Sequence, residues 1–172
     1  MNDRTTLTLK ALTMMLQVPM ATHGDSTLMQ ALRQFTNLAV MDRIALIRLG
    51  IPASLITTLA EALGLTKAQI AAGLGIPVSS VTRKLRARTT LSAGESERVL
   101  GLVELVVTVE GWGGDLSASA PPDFVASRWL GSLLATPAPA LGGLEPLSLL
   151  VTADGRGLVA ELLGSQEVGA YW

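Results

Sequence analysis

Apolar residues recur along the chain at intervals of three and four, and strict alternation of apolar and polar residues is rare. This spacing places apolar side chains on one face of a helix, so it predicts an all-α fold. The pattern predicts helices over residues 26–35, 40–49, 53–63, 67–74, 78–88, 93–109, 124–134, 146–150 and 158–163, with a further short helix within residues 9–20.

Two helix starts carry a reciprocal capping pattern. Thr66 is followed three residues later by Gln69, and Ser92 is followed by Glu95. In such a pair the hydroxyl accepts from the backbone N–H three residues on, and the longer side chain reaches back to the first residue. The stretch Asp154–Gly157 is predicted as a turn, because it contains two glycines and an aspartate.

Residues 67–85 have the features of a helix-turn-helix. Ala71 is small enough to let two helices cross closely, and Gly75 follows the first helix where a left-handed conformation is easiest for glycine. The predicted apolar seam between the helices consists of Ile70, Leu74, Ile76, Val81 and Leu85. In this motif the second helix enters the major groove of DNA.

The second helix would present polar and basic side chains to DNA. Ser79, Thr82, Arg83 and Arg86 face away from the predicted seam. Arg83 and Arg86 are candidates for guanine contacts, since an arginine fork matches two acceptors. The expected phosphate contacts are Lys67, Lys84 and Arg88. An ordinary helix pair with a solvated basic face is the alternative.

Charge is distributed unevenly although the net charge is only −1. Residues 67–98 carry a net charge of +4, residues 99–172 carry −6, and residues 1–66 carry +1. A basic centre beside an acidic C-terminal part indicates two surfaces with different partners.

Catalytic and metal sites are hard to build from this composition. The chain has no cysteine and one histidine, His23, so thiolate and histidine-based metal sites are excluded. The glycine-rich stretches lack the lysine of a phosphate-binding loop. We therefore expect no enzyme activity, no catalytic residues, no metal and no cofactor. No apolar run approaches the length of a membrane span and no signal peptide is evident, so a cytoplasmic protein without membrane contact is expected.

From Gly50 onward, about two thirds of the chain resembles the Xre/MbcA/ParS-type antitoxins of RES–Xre toxin–antitoxin modules. The resemblance includes the helix-turn-helix, a serine–glutamate–arginine signature, and a fixed order of short motifs after it. These motifs are Leu91-Ser92, Glu95 to Leu100, Arg128-Trp129-Leu130, Leu141 to Leu147, and Thr152 with Gly155. Residues 111–122 and 165–169 depart from the family pattern, the first by greater length and the second by composition.

The resemblance implies an Xre-like helix-turn-helix domain followed by a small helical toxin-binding domain. The implied partner is a toxin with a RES domain that consumes NAD⁺, whose active site the C-terminal part would block. The resemblance also implies that the antitoxin represses its own operon. We divide the chain into three parts: residues 51–110 are the DNA-binding domain, residues 111–172 are the toxin-binding domain with 111–123 as a linker, and residues 1–50 are a helical dimerisation segment. The dimer contact is assigned to residues 1–50 because the helices in residues 25–50 lie outside the strongest match and are apolar on one face. A homodimer is expected, because helix-turn-helix proteins usually bind paired half-sites.

The expected toxin-contacting residues all lie in the C-terminal part. They are Trp129, Leu141, Glu161, Glu167, Tyr171 and Trp172. Tyr171 and Trp172 are the bulky residues favoured as interface anchors, although they could equally fold back onto their own core. Trp129 is open to the same alternative. Two other functions stay open from sequence alone: a stand-alone helix-turn-helix regulator with a ligand-binding C-terminal domain, and an interaction protein that has lost DNA binding.

Overall fold

A computed structural model of the chain describes residues 32–112 and 124–168, with side chains described as far as residue 165. All regular structure in these ranges is helical, which confirms the predicted all-α fold, and only two isolated β-bridges occur besides. Residues 32–36 are helical, and the named helices are α1 (Val40–Leu49), α2 (Ser54–Leu63), α3 (Lys67–Gly73), α4 (Val78–Ala87), α5 (Ala93–Gly111), α6 (Ala126–Leu134), a 3₁₀ turn (Pro139–Leu141), α7 (Pro146–Leu149) and α8 (Ala153–Val168).

Both predicted capping boxes form. At α3 the Gln69 N–H donates to the Thr66 hydroxyl at 3.1 Å, and the Thr66 N–H donates to the Gln69 side chain at 2.9 Å. At α5 the Ser92 N–H donates to the Glu95 carboxylate at 2.6 Å, and the Glu95 N–H lies 3.4 Å from the Ser92 hydroxyl. These bonds satisfy backbone donors that have no partner inside the helix, and they fix where the two helices begin.

The long helix α5 lies at the centre of the fold. It packs against α1, α6 and α8, and ten of its nineteen residues are buried. Because aromatic residues are scarce, leucine and valine supply most of the buried surface around it, including Val99, Leu102, Val103 and Val106.

The C-terminal helices share a core with the helix-turn-helix. Helix α6 packs against α2, and α7 packs against α3. Leu130, Leu134 and Leu150 are fully buried in the same apolar cluster as Leu59 and Leu63. The division of the chain at residues 50 and 110 stays a prediction, and the packing shows that the predicted DNA-binding and toxin-binding parts are held against each other.

Two local predictions are wrong. Asp154–Gly157 is not a turn but lies in the first turns of α8, because the Thr152 hydroxyl accepts from the Gly155 N–H at 3.0 Å and caps the helix there. Gly111 belongs to α5 rather than to the linker, and Trp112 directly after it is buried in the core.

Several other predictions fall outside the described residues. These are the helix within residues 9–20, the start of the helix at 26–35, and the linker beyond residue 112. Among residues 32–112 and 124–168, none of the helices combines the length and apolar character that crossing a membrane requires.

Candidate functional site

Helices α3 and α4 meet through a tight turn that the sequence dictates. The Ile76 N–H donates to the Ala71 carbonyl at 2.8 Å, and Gly75 adopts a φ of 60°. Glycine is the residue that takes this left-handed conformation without strain. Ala71 is fully buried where the two helices approach each other. The predicted helix-turn-helix is therefore present.

The apolar seam between α3 and α4 also matches the prediction. Ile70, Leu74, Ile76 and Val81 are buried, and Leu85 is partly buried against the same cluster. With Val81 and Leu85 turned inward, the opposite side of α4 faces solvent.

The outward side of α4 brings four predicted DNA-contacting residues together. Ser79, Thr82, Arg83 and Arg86 are all exposed and line one open surface. The Thr82 hydroxyl donates to the Val78 carbonyl at 3.0 Å, so its oxygen remains able to accept from a base or a phosphate-bound water. The surface has the residue types that base readout in the major groove uses.

Two of the three predicted phosphate contacts are also exposed. Lys67 is the first residue of α3, and Arg88 is the residue directly after α4. Arg88 adopts φ 51° and ψ 43°, a left-handed conformation that is rare for residues other than glycine. Lys84 differs from both, because its ammonium group is paired with the Glu95 carboxylate at the start of α5.

The Glu95 carboxylate is the centre of a small polar cluster. Burial raises the pKa of this carboxyl, but the hydrogen bonds from Lys84 and from the Ser92 backbone outweigh burial, so the pKa lies below its ordinary value. The carboxylate therefore stays ionised at neutral pH, and it holds α4 and α5 together by charge as well as by hydrogen bonding.

The chain segments before α2 and after α4 are tied together by backbone hydrogen bonds. The Ala53 N–H donates to the Thr89 carbonyl at 3.1 Å, and the Leu91 N–H donates to the Ile51 carbonyl at 2.8 Å. The buried Ser96 hydroxyl accepts from the Ile51 N–H at 3.1 Å. These contacts fix the end of α4, and no local sequence pattern predicts them, because the bonded residues are 36 to 45 positions apart.

The predicted toxin-contacting residues fall into two groups. Trp129 on α6 is partly buried against the core, Leu141 in the 3₁₀ turn is partly exposed, and Glu161 on α8 is exposed. The side chain of Glu167 and the whole of Tyr171 and Trp172 lie outside the described residues. The three described residues lie on three different elements, and their role in toxin binding stays a prediction.

Arg156 is a structural residue that the sequence analysis did not single out. One guanidinium nitrogen donates to the Leu150 carbonyl at 3.1 Å, and another contacts the Glu97 carboxylate at 3.1 Å. The side chain thus links α8 and the end of α7 to α5. In the described part of the chain, no group of three or more histidine, cysteine or carboxylate residues lies close enough to hold a metal ion.

The arrangement of α3 and α4 defines a helix-turn-helix protein. A family model described as "Antitoxin Xre-like helix-turn-helix domain" matches residues 42–104. The chain is 36% identical over 132 residues to the "Prs ADP-ribosylating antitoxin" of Sphingobium sp., covering 76% of this chain and 81% of the relative. It is 30% identical over 126 residues to "Antitoxin Xre" of Yersinia enterocolitica, covering 73% and 78%.

The chain belongs to the family of Xre-like helix-turn-helix antitoxins, and it is the antitoxin of a toxin–antitoxin system. The family membership expected from the sequence motifs is confirmed. An antitoxin has a cognate toxin as its partner, and the helix-turn-helix points to DNA as a second partner.

Proposed function

We propose that this antitoxin represses its own operon by placing α4 in the major groove of operator DNA. The observation that carries the proposal is the outward face of α4, where Ser79, Thr82, Arg83 and Arg86 are exposed together. Arg83 and Arg86 would read guanine edges, while Lys67 and Arg88 would contact phosphates. Arg88 directly follows α4 in the left-handed conformation that ends the helix, where the Thr89 N–H donates to the Lys84 carbonyl at 3.0 Å, and its exposed side chain lies beside the basic face of α4.

The toxin proposed as the partner has a RES domain and consumes NAD⁺. Support comes from the relative whose name pairs the antitoxin with ADP-ribosylation of Prs. ADP-ribosyl groups are drawn from NAD⁺, so a toxin of that chemistry has a nucleotide-binding active site. The antitoxin itself would have no enzyme activity, and it would act in the cytoplasm, where both operator and toxin are accessible.

Inhibition of the toxin is assigned to residues 111–172, which would occlude its active site. The acidic character of this part, with a net charge of −4 over residues 111–172, would suit a site that binds the phosphates of a dinucleotide. On α8 the exposed Leu158 lies one turn before the exposed Glu161, so the helix offers an apolar and an acidic contact on one side.

A homodimer is proposed through residues 1–50. On α1 the exposed fractions of Val40, Met41 and Ile44 are 64%, 73% and 36%, and helical spacing places the three residues on one side. Paired operator half-sites require two copies of α4, which makes a second copy of this chain the natural partner for this surface. Met41→Glu should shift the protein to monomer in light scattering, whereas Leu144→Glu, at an exposed apolar residue outside α1, should not.

The two functions can be separated by mutation. Arg83→Ala should abolish repression of a reporter gene, because it removes one base-reading fork, but it should still rescue growth when the toxin is co-expressed. Truncation after Gly164 should keep repression but lose rescue of growth. It removes the C-terminal end, whereas the buried Leu163 remains in place. Arg128→Ala, which removes an exposed arginine on α6 outside the proposed DNA-binding and dimerisation segments, is the control for loss of charge in the repression assay.

Rescue of growth by the truncated protein would show that the C-terminal end is not the inhibitory element. Repression by Arg83→Ala at the level of the unchanged protein would refute the role of α4. If the product of the adjacent gene forms no complex and causes no growth defect, a ligand-responsive regulator becomes the better assignment.

A further inference from the structure

Helix α4 has little apolar surface to hold it in place. Among its ten residues only Val81 is fully buried, and Leu85 is partly buried. Both residues lie on the side facing α3. In the second half of the helix, where Arg86 lies, Leu85 supplies the apolar contact, so the orientation of this half also depends on the polar contacts that hold the end of α4.

The Lys84–Glu95 ion pair supplies such a contact. The side chains of Lys84 and Glu95 are only 16% and 11% exposed, and the same carboxylate oxygen that binds Lys84 also accepts the Ser92 N–H. The carboxylate is thus fixed by the capping box of α5, and the ammonium group of Lys84 is fixed by the carboxylate. The other two ion pairs among the described residues, Arg43–Glu104 and Arg156–Glu97, each have a more exposed carboxylate.

The exposed Lys67 side chain can turn toward a DNA phosphate. The Lys84 ammonium group is instead paired with the Glu95 carboxylate in a largely buried position, so it would have to leave this partner to reach a phosphate. We propose that Lys84 is a positioning residue, which orients α4 through Glu95 and makes no phosphate contact. This inference rests on the proposed operator binding, and it revises the phosphate role that the sequence predicts for Lys84.

The two roles predict opposite effects of removing the charge of Glu95. If Lys84 served phosphates, Glu95→Gln would release its ammonium group and remove a nearby negative charge, so DNA affinity would rise. If the pair orients α4, Glu95→Gln weakens the link between α4 and α5, and DNA affinity falls. Glutamine keeps an oxygen that can accept the Ser92 N–H, so the capping of α5 is retained.

The experiment measures binding of the full-length protein to a labelled duplex from the promoter region of its own operon, over a range of salt concentrations. The variants are Lys84→Met, Glu95→Gln and both together, and Lys67→Met is the matched control. Loss of one phosphate contact reduces the slope of log affinity against log salt by about 0.9. Circular dichroism and rescue of growth against the toxin establish that each variant is folded.

We expect Glu95→Gln and Lys84→Met each to weaken binding about tenfold with the salt slope unchanged. The double variant should lose no more than either single variant, because both remove the same contact. Lys67→Met should instead lower the salt slope. A lower slope for Lys84→Met, or tighter binding by Glu95→Gln, overturns the inference alone. Failure of the unchanged protein to bind this DNA overturns the proposed operator binding itself.

Discussion

Replacement of Gly131 by alanine tests how closely the C-terminal part approaches the helix-turn-helix domain. Gly131 lies in α6, at the point where this helix crosses the end of α2. A Cβ atom added there would lie 1.9 Å from the Leu63 carbonyl oxygen and 2.8 Å from its carbon. Both are backbone atoms, so no side-chain rotation can relieve the overlap, and one helix has to move.

The expected cost follows from two opposing effects. Alanine stabilises a helix interior by about 1 kcal/mol relative to glycine. Forcing extra volume into a packed core costs about 1–3 kcal/mol, and more where the backbone must shift. The fully buried Leu130 and Leu134 on the same helix would lose contacts as α6 moves away. We therefore expect Gly131→Ala to lower the free energy of unfolding by about 2 kcal/mol.

Urea unfolding followed by circular dichroism measures this change. With a urea dependence of about 2 kcal/mol per molar, the midpoint should fall by about 1 M. The control is Gly164→Ala on α8, where an added Cβ meets no atom of the described residues within 4 Å, so only the helix preference is expected to act. Gly164→Ala should raise stability by up to about 1 kcal/mol. If Gly131→Ala were as stable as Gly164→Ala, the close contact between α6 and α2 would be wrong.

Three further changes test other parts of the fold. Thr66→Ala removes the capping hydroxyl of α3 and should cost about 1 kcal/mol in thermal unfolding; an unchanged midpoint would contradict the role of the capping box. The pKa of Glu95 is lowered on folding, so its stabilising effect is present at neutral pH and disappears as the pH falls below the carboxyl's ordinary value of about 4.3. The difference in stability between the unchanged protein and Glu95→Gln should therefore shrink between pH 6 and about pH 3, and a pH-independent difference would argue against the lowered pKa. Arg156→Met leaves the Leu150 carbonyl without its guanidinium donor and should cost about 1–3 kcal/mol, whereas no loss in urea unfolding would show that this link is dispensable.

The helix-turn-helix could be predicted because its determinants are close together in sequence. The capping box at Thr66, the small Ala71 and the left-handed Gly75 each act within a few residues, and the structure contains all three. The outward face of α4 followed from helical spacing once Val81 was assigned to the interior. Local chemistry thus determined both the existence of the motif and the side that it exposes.

Pairing between distant residues could not be predicted in the same way. Lys84 and Glu95 are separated by a helix end and a turn. From the sequence alone, both side chains could equally well lie in solvent without contacting each other. The sequence predicts a turn at Asp154–Gly157 because glycine and aspartate favour turns. The structure has the start of α8 there, because the Thr152 hydroxyl caps the helix. The approach of α6 to α2 depends on tertiary packing, which a helical pattern does not specify.

The common core of the two halves has a consequence for how such antitoxins diversify. Leu130, Leu134 and Leu147 pack into the same interior as residues of α2 and α3, so the C-terminal half of one relative would not fit onto another unless these buried surfaces matched. Exchange of the C-terminal half between related antitoxins should therefore give poorly folded hybrids unless the buried positions are exchanged with it. Exposed faces are free of this constraint, so relatives should differ there while the shared interior stays constant.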